Sequence, residues 1–430
     1  MKHPKIRTLI AFLTLLLVSQ AQAQINIEIT GGTQAALPIA IVPFQLRQGP
    51  APATDAAEVI GSDLRRSGMF ELIPSADFLA HPSRFEDVQF QNWRALGADN
   101  LVIGSIERLS NGQYELRVEL LDVYKSARLF GKRYRVREEA LRTLAHNISD
   151  LIYEEVTGQP GAFNTQIAYV GVSQKNGEPQ YHLMLADADG ARPQVILNSP
   201  QPLMSPTWSP DRKQLAYVSF EDRRSAIYVQ TVATGERRRV ASFPGINGAP
   251  AWSPDGRRLA LTLSKDGNAD IYVLDLQTQA LTQLTRHWSI DTEPDWAPDG
   301  RSIVFTSDRG GRPQIYQVST RGGEPKRLTY EGRYNAHPAY SPDGTQLAMV
   351  HQDDNGFRIA VLDLETEQLT VLTDGPLDES PSFSANGAMI VYAGNRGGKS
   401  VLSTVSVFGR ADEVLQQYRH PVREPAWSPR

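Results

Sequence analysis

Residues able to do chemistry are sparse in this chain of 430 residues. None of its eight histidines falls in a His-Glu-x-x-His pair, and with no cysteine a zinc site has few ligands to draw on. There is no Gly-x-Ser-x-Gly turn to present a nucleophile and no glycine-rich loop to cradle a phosphate. Asp187-Ala188-Asp189-Gly190 has the opening of a calcium loop, but the glutamate that must close one is missing downstream. Asp-Gly is ordinary hairpin chemistry, and that is how the segment reads. Asp222-Arg223-Arg224 and Asp353-Asp354 lie between strand-like runs and read as solvated loop charges.

The polar residues that do show a pattern precede a recurring motif. They are Asn247-Gly248-Ala249, Asp291-Thr292-Glu293, Asn335-Ala336-His337, Asp378-Glu379-Ser380 and Arg423-Glu424. If the repeats close into a ring, all reach one rim. Asp291, Glu293, Asp378, Glu379 and Glu424 would then face Arg423 and His337. Such a rim could hold a metal ion or a basic partner, or could be merely solvated. Convergence of polar groups at a channel mouth makes it the default binding site.

The motif behind them is Ala249-Pro250-Ala251-Trp252-Ser253-Pro254-Asp255-Gly256 and its relatives. Its aromatic recurs at Trp208, Trp252, Trp296, Tyr340, Phe383 and Trp427, spacings of 44, 44, 44, 43 and 44 residues. A period near 44 with strand-rich units is that of a propeller blade, and six copies mean six blades. Short apolar runs follow each motif (Leu215 to Val218, Leu259 to Thr262, Ile303 to Thr306) and read as strands buried on both faces. Pro-Asp-Gly is a turn in which Gly takes the left-handed exit; Arg212 stands in that place in the first copy and predicts an altered turn. The proline beside each aromatic donates no hydrogen bond, so its strand belongs at a sheet edge, the innermost position. The aromatics themselves suit packing between blades: burying a Trp removes roughly 150–250 Å² from water. Ile167-Ala168-Tyr169-Val170 lacks a preceding motif, and Pro425-Ala426-Trp427-Ser428-Pro429 at the C-terminus can supply the missing strand and close the ring.

The first 23 residues read as an export signal: Lys2, Lys5 and Arg7, an apolar stretch from Leu9 to Val18, and Ala21-Gln22-Ala23 ahead of a cut before Gln24. The stretch is too short to span a bilayer comfortably. Removing it takes the formal charge from −4 to near −7, because three basic residues go with it. That balance argues against nucleic acid or an anionic membrane as the main partner. Residues 24–36 open with Ile25-Asn26-Ile27-Glu28-Ile29-Thr30, a strict alternation before Gly31-Gly32. It is either an edge strand of its own domain or a segment that adds itself to another protein's sheet. Residues 37–156 read as a small α/β domain. Its elements are a buried strand at Pro38 to Phe44, helices at 54–67, 88–96 and 138–155, and strands at 70–73, 101–109, 114–123 and 129–136. Residues 157–163 are a linker and 164–430 the propeller. The fold class expected is therefore two domains, a small N-terminal α/β domain followed by an all-β six-bladed propeller closed by N- and C-terminal strands.

Taken together, the signal, the apolar mature N-terminus, the Pro-Ile-Ala-Ile-Val-Pro-Phe strand, the Phe243-Pro-x-x-Asn247-Gly248-Ala249-Pro250 stretch and the six blades resemble the TolB family, periplasmic components of the Tol–Pal system. The blade motif alone is shared by many propellers; the full arrangement is specific. The resemblance implies a non-enzymatic protein with no cofactor, coupling TolA to the peptidoglycan-associated lipoprotein for outer-membrane integrity and invagination during cell division. Other outer-membrane proteins are further partners it implies. By resemblance, Ile25, Asn26, Ile27, Glu28, Ile29 and Thr30 engage TolA. The lipoprotein would meet Asn247, Gly248, Ala249, Asp291, Thr292, Glu293, His337, Glu379 and Arg423. The alternative class is a metal-dependent hydrolase or lyase acting in the central channel, favoured by the acidic rim and opposed by the missing histidine cluster and nucleophile motif.

Overall fold

The computed structural model describes residues 36–415 and 420–430. The expected export signal and the Ile25–Thr30 segment lie outside the described residues. The α/β domain is built on a sheet in which β1 (Leu37–Ile41) pairs in parallel with β3 (Phe70–Leu72) and β4 (Asn100–Arg108). β2 (Gln45–Gln48) pairs with the far part of β4, and β5 (Tyr114–Asp122) and β6 (Ala127–Val136) extend the sheet by hairpins. The alternation in β5 explains how both faces are covered. Leu116, Val118 and Leu120 pack with Ile60 and Leu64 of α1 (Ala56–Arg66) and Leu144 and Ile148 of α3 (Leu141–Thr157). Leu121, with Leu101 and Ile103, packs with Trp93 of the short α2 (Phe90–Ala95).

The helix ends follow from capping chemistry. Asp55 precedes α1 and its carboxylate accepts the Ala57 and Glu58 amides, filling two donors the helix cannot satisfy itself. Gly158 stops α3 in the left-handed conformation. The connection that follows is packed rather than loose. Ala162 and Phe163 are fully buried, and Asp150 of α3 accepts the Phe163 and Asn164 amides at 2.7 and 3.2 Å.

Six four-stranded antiparallel sheets follow. In blades 2 to 6 the strands run in chain order, from innermost to outermost. Blade 1 instead takes its innermost strand, Val422–Trp427, from the C-terminus and pairs it with Gln166–Lys175. The ring is closed by hydrogen bonds between the two ends of the array. Trp208, Trp252, Trp296, Phe383 and Trp427 are buried, while Tyr340 is half-buried with its hydroxyl accepting from Gln317 at 2.8 Å. The indole N–H groups of Trp208 and Trp296 donate to Ala426 and Ala251 of the preceding blades at 3.1 Å, so the repeated aromatic is indeed a blade-to-blade contact.

The Ser-Pro-Asp-Gly turn is held by its first and third residues. Ser253 Oγ donates to Asp255 at 2.5 Å and accepts the Arg258 amide at 3.0 Å, and the Ser209, Ser341 and Ser384 turns repeat the arrangement. Gly256, Gly300, Gly344 and Gly387 all have φ near +70°. Arg212 adopts φ +60° in the same place, so the expected altered turn is the ordinary turn made by a residue ill-suited to it. Among the described residues, no helix is long and apolar enough to cross a membrane.

Candidate functional site at the channel mouth

The innermost strand of every blade carries one irregularity at the same place. Its register against the second strand shifts between Met204 and Thr207, Gly248 and Ala251, Thr292 and Asp295, Ala336 and Ala339, Glu379 and Ser382, and Arg423 and Ala426. Each shift is a bulge, and within it Ser205, Ala249, Glu293, His337, Ser380 and Glu424 have φ between +43° and +57°. All six precede proline, which disfavours the right-handed helical region for them, and none is glycine. Sequence reasoning recognised the prolines as edge residues but missed this ring of left-handed backbone. The signal available was the proline recurring at one offset inside a strand, where it marks a bulge as well as an edge.

The bulge turns amides toward the preceding blade, where side chains receive them. His337 N–H donates to Glu293 Oε2 at 2.9 Å and to Thr306 Oγ1 at 3.0 Å. Glu293 N–H donates to Thr262 at 3.3 Å, and the Ser205 amide donates to Glu424. Glu293 also accepts the Thr306 hydroxyl at 2.8 Å and lies 3.8 Å from the His337 ring. Ser205, Glu293, His337 and Glu424 line a cavity of about 680 Å³ in the channel, together with Ala249, Asp295, Glu379 and Ser380. Burial raises the Glu424 carboxyl above the usual range. The Ser205 N–H and His337 oppose that rise, and Glu379 adds to it. Burial pushes Asp295 up to about 6, against hydrogen bonds from the Tyr340 and Trp296 amides and the charge of His337.

Three residues expected at the rim, Asn247, Asp291 and Asp378, are structural instead. Asn247 is fully buried; its side chain accepts the Phe243 amide at 2.8 Å and donates to the Phe243 carbonyl at 2.7 Å, pinning the loop before the strand. Asp291 is equally buried and takes two hydrogen bonds from Arg309, at 2.9 and 2.7 Å. Asp378 repeats that design with Arg396 at 3.2 Å. The acidic rim of the sequence reading thus shrinks to Glu293, Glu379 and Glu424. The others sit at strand starts, where a carboxylate or amide ties down the incoming loop. Gly248, Thr292 and Glu379 are half-buried beside the mouth, and Arg423 is exposed on the closing strand.

What sequence reasoning passed over is apolar. Ile246, Trp288, Ile290, Tyr330 and Leu377 are exposed, Trp288 by 79% and Tyr330 by 71%. Each belongs to a loop that leads into an innermost strand at its mouth end, in blades 3 to 6. Loop position alone hid them, because an exposed aromatic has no periodic signature.

The comparisons with known proteins cover nearly the whole chain. The model of the TolB amino-terminal domain matches residues 25–129, and that of the TolB beta propeller domain matches residues 153–430. The chain belongs to the TolB family. It is 64% identical to the Tol-Pal system protein TolB of Nitrosococcus oceani, covering 95% of this chain and 94% of that one. It is 57% identical to the protein of the same name from Alkalilimnicola ehrlichii, covering 96% and 98%. The crystal structure of TolB from Acinetobacter baumannii superposes with a TM-score of 0.84 at 40% identity, over 92% of this chain and 97% of that one. Fold class and family are therefore those expected from the sequence, a small α/β domain followed by a six-bladed propeller of the Tol–Pal system.

Proposed function

We propose that this TolB-family chain is a non-enzymatic periplasmic coupling protein, and that its channel mouth receives the peptidoglycan-associated lipoprotein. The observation that carries the reading is the pairing of an apolar crescent with a polar, half-buried mouth. Exposed Ile246, Trp288, Ile290, Tyr330 and Leu377 stand in the loops that enter the innermost strands at the mouth end, and Leu377 lines the cavity together with Glu293, His337, Glu379 and Glu424. A patch of exposed aromatic and aliphatic side chains beside satisfied polar groups suits a protein interface, where a few aromatics supply most of the binding energy. Gly248, Ala249 and Thr292 lie where the partner would sit closest to the channel. Residues 24–36 take the second role in this reading, with Ile25 to Thr30 adding as a strand to TolA. Joining the two partners in one chain serves outer-membrane integrity and its invagination during cell division. If occupancy of the mouth shifts that segment between docked and free, the two affinities must change reciprocally.

Calorimetric titration of the chain from Gln24 with the soluble domain of the peptidoglycan-associated lipoprotein tests the reading. Saturable one-to-one binding is expected, weakened about 30-fold or more by Trp288→Ala, a loss of about 2 kcal/mol. Ala249→Trp should block it. An absence of binding, or binding indifferent to both substitutions, would remove the mouth assignment.

A further inference from the structure

Where the α/β domain meets blade 1, a buried histidine stands between carboxylates from the two domains. His146 lies on α3 and is 1% exposed. Its Nδ1 is 2.7 Å from Oδ2 of Asp63 on α1, a residue that is itself fully buried. Its Nε2 has no hydrogen-bond partner and lies 3.7 Å from Oδ2 of Asp189, in the turn between the third and fourth strands of blade 1, Glu178–Asp187 and Gln194–Ser199. With Asp63 accepting at Nδ1, a neutral ring would point a lone pair at Asp189, and a protonated ring points an N–H at it.

We propose that protonated His146 is a clasp joining the α/β domain to the propeller, and that the junction loosens when the ring gives up its proton. The surrounding charges bear this out from every packed element. From α1, Arg66 donates to Asp63 at 2.6 Å. From α3, Arg142 donates to Asp189 and lies 3.6 Å from Asp187, and Asp150 sits one turn beyond His146. From the blade, Arg192 pairs with Asp187 at 2.7 Å. Without the imidazolium proton, the Asp189 side of the ring faces an unfilled lone pair in a buried site, which is unfavourable. Burial alone would push the histidine down. The charge and hydrogen bond of Asp63, with Asp189 behind, outweigh burial and the opposing Arg66, and hold it above its ordinary value. Asp189 is correspondingly lowered: burial raises it, and His146, Arg66, the Ala191 amide and Arg142 together overcome that. The Asp63, His146 and Asp189 ligand atoms lie within 4.8 Å of one another, the spacing of a metal site. However, both carboxylates already hold guanidinium groups, which a cation would have to displace, so a proton suits the site better.

The sign follows from linkage. A histidine raised in the folded state contributes fully below the unfolded value of about 6.5 and loses that contribution as pH rises through the folded value. The test is hydrogen–deuterium exchange of the chain from Gln24 at about pH 6 and pH 8.5, corrected for intrinsic rates, with blades 3 to 5 as internal reference. Protection of α3 and of the Asp187–Ala191 turn should fall about tenfold relative to those blades. In His146→Gln, whose amide can still donate to Asp63, the fall should vanish, and Asp189→Asn should shrink it. Equal falls in wild type and His146→Gln, or no fall in wild type, would overturn the clasp. So would zinc restoring protection at the higher pH in wild type alone, which would make the site a metal site. NMR titration of His146 in the unsubstituted chain needs no variant, and a midpoint below that of free histidine would also sink the proposal.

Discussion

The two ends of the propeller channel are built on equally regular backbone and carry opposite kinds of sequence. At one end the Ser-Pro-Asp-Gly turns repeat almost residue for residue, and a side chain at Gly256, Gly300, Gly344 or Gly387 would meet the proline of the preceding blade's turn. At the mouth the six left-handed residues are Ser205, Ala249, Glu293, His337, Ser380 and Glu424, no more than two of them alike. Residue type is narrowly held at the turn end, where a serine hydroxyl bridges the side chain two residues on and a backbone amide in four turns and Ala297 takes its place in the fifth. At the mouth the backbone is held by bulge and proline, and the side chains are free to differ. That difference separates positions serving the ring from positions available to a partner.

The comparison breaks most visibly at the strand that belongs to both ends of the chain. Trp427 is buried and donates to Thr165 at 2.7 Å, so Trp427→Ala should cost about 3–5 kcal/mol in denaturant unfolding. Removing residues 425–430 should abolish a single cooperative transition altogether. Next in size, Trp288→Ala should leave the unfolding midpoint within experimental error while weakening lipoprotein binding by about 2 kcal/mol. Ser253→Ala should do the reverse, losing about 1–2 kcal/mol of stability with binding intact, because the Asp255 carboxylate and Arg258 amide lose their bridge.

Asp295 sharpens the mouth further through pH. Its carboxyl is raised by burial to about 6, so its contribution to stability is full below the unfolded value near 4 and is lost as pH rises through about 6. Asp295→Asn should therefore gain on wild type between pH 4 and pH 7, read from denaturant midpoints at each pH. The smallest effect is expected at the imperfect turn. Arg212→Gly relieves a left-handed arginine, offset by the greater freedom of an unfolded glycine, for a net gain of at most about 1 kcal/mol.

Much of this fold was legible because repetition exposes it. The recurring aromatic and the Pro-Asp-Gly turn announced six blades, and the orphan Ile167–Val170 run announced closure by the C-terminus. The site was legible only in outline. Asn247 and Asp291 had the residue types of a polar rim, yet they are consumed by Phe243 and Arg309, partners four and eighteen residues away that no motif names. The apolar crescent was hidden for the complementary reason, since Trp288 and Tyr330 occupy loops without period.

Local pattern thus determined what is local or periodic: strands, turns, caps such as Asp55, the number of blades and the family. Tertiary structure alone decided which polar groups are spent on the protein itself and which face the channel. It also decided that Asp63 and His146 of one domain meet Asp189 of the other. The physical reason is that burial and electrostatics depend on groups brought together from distant parts of the chain, whereas backbone conformation and hydrophobic period are written within a few residues.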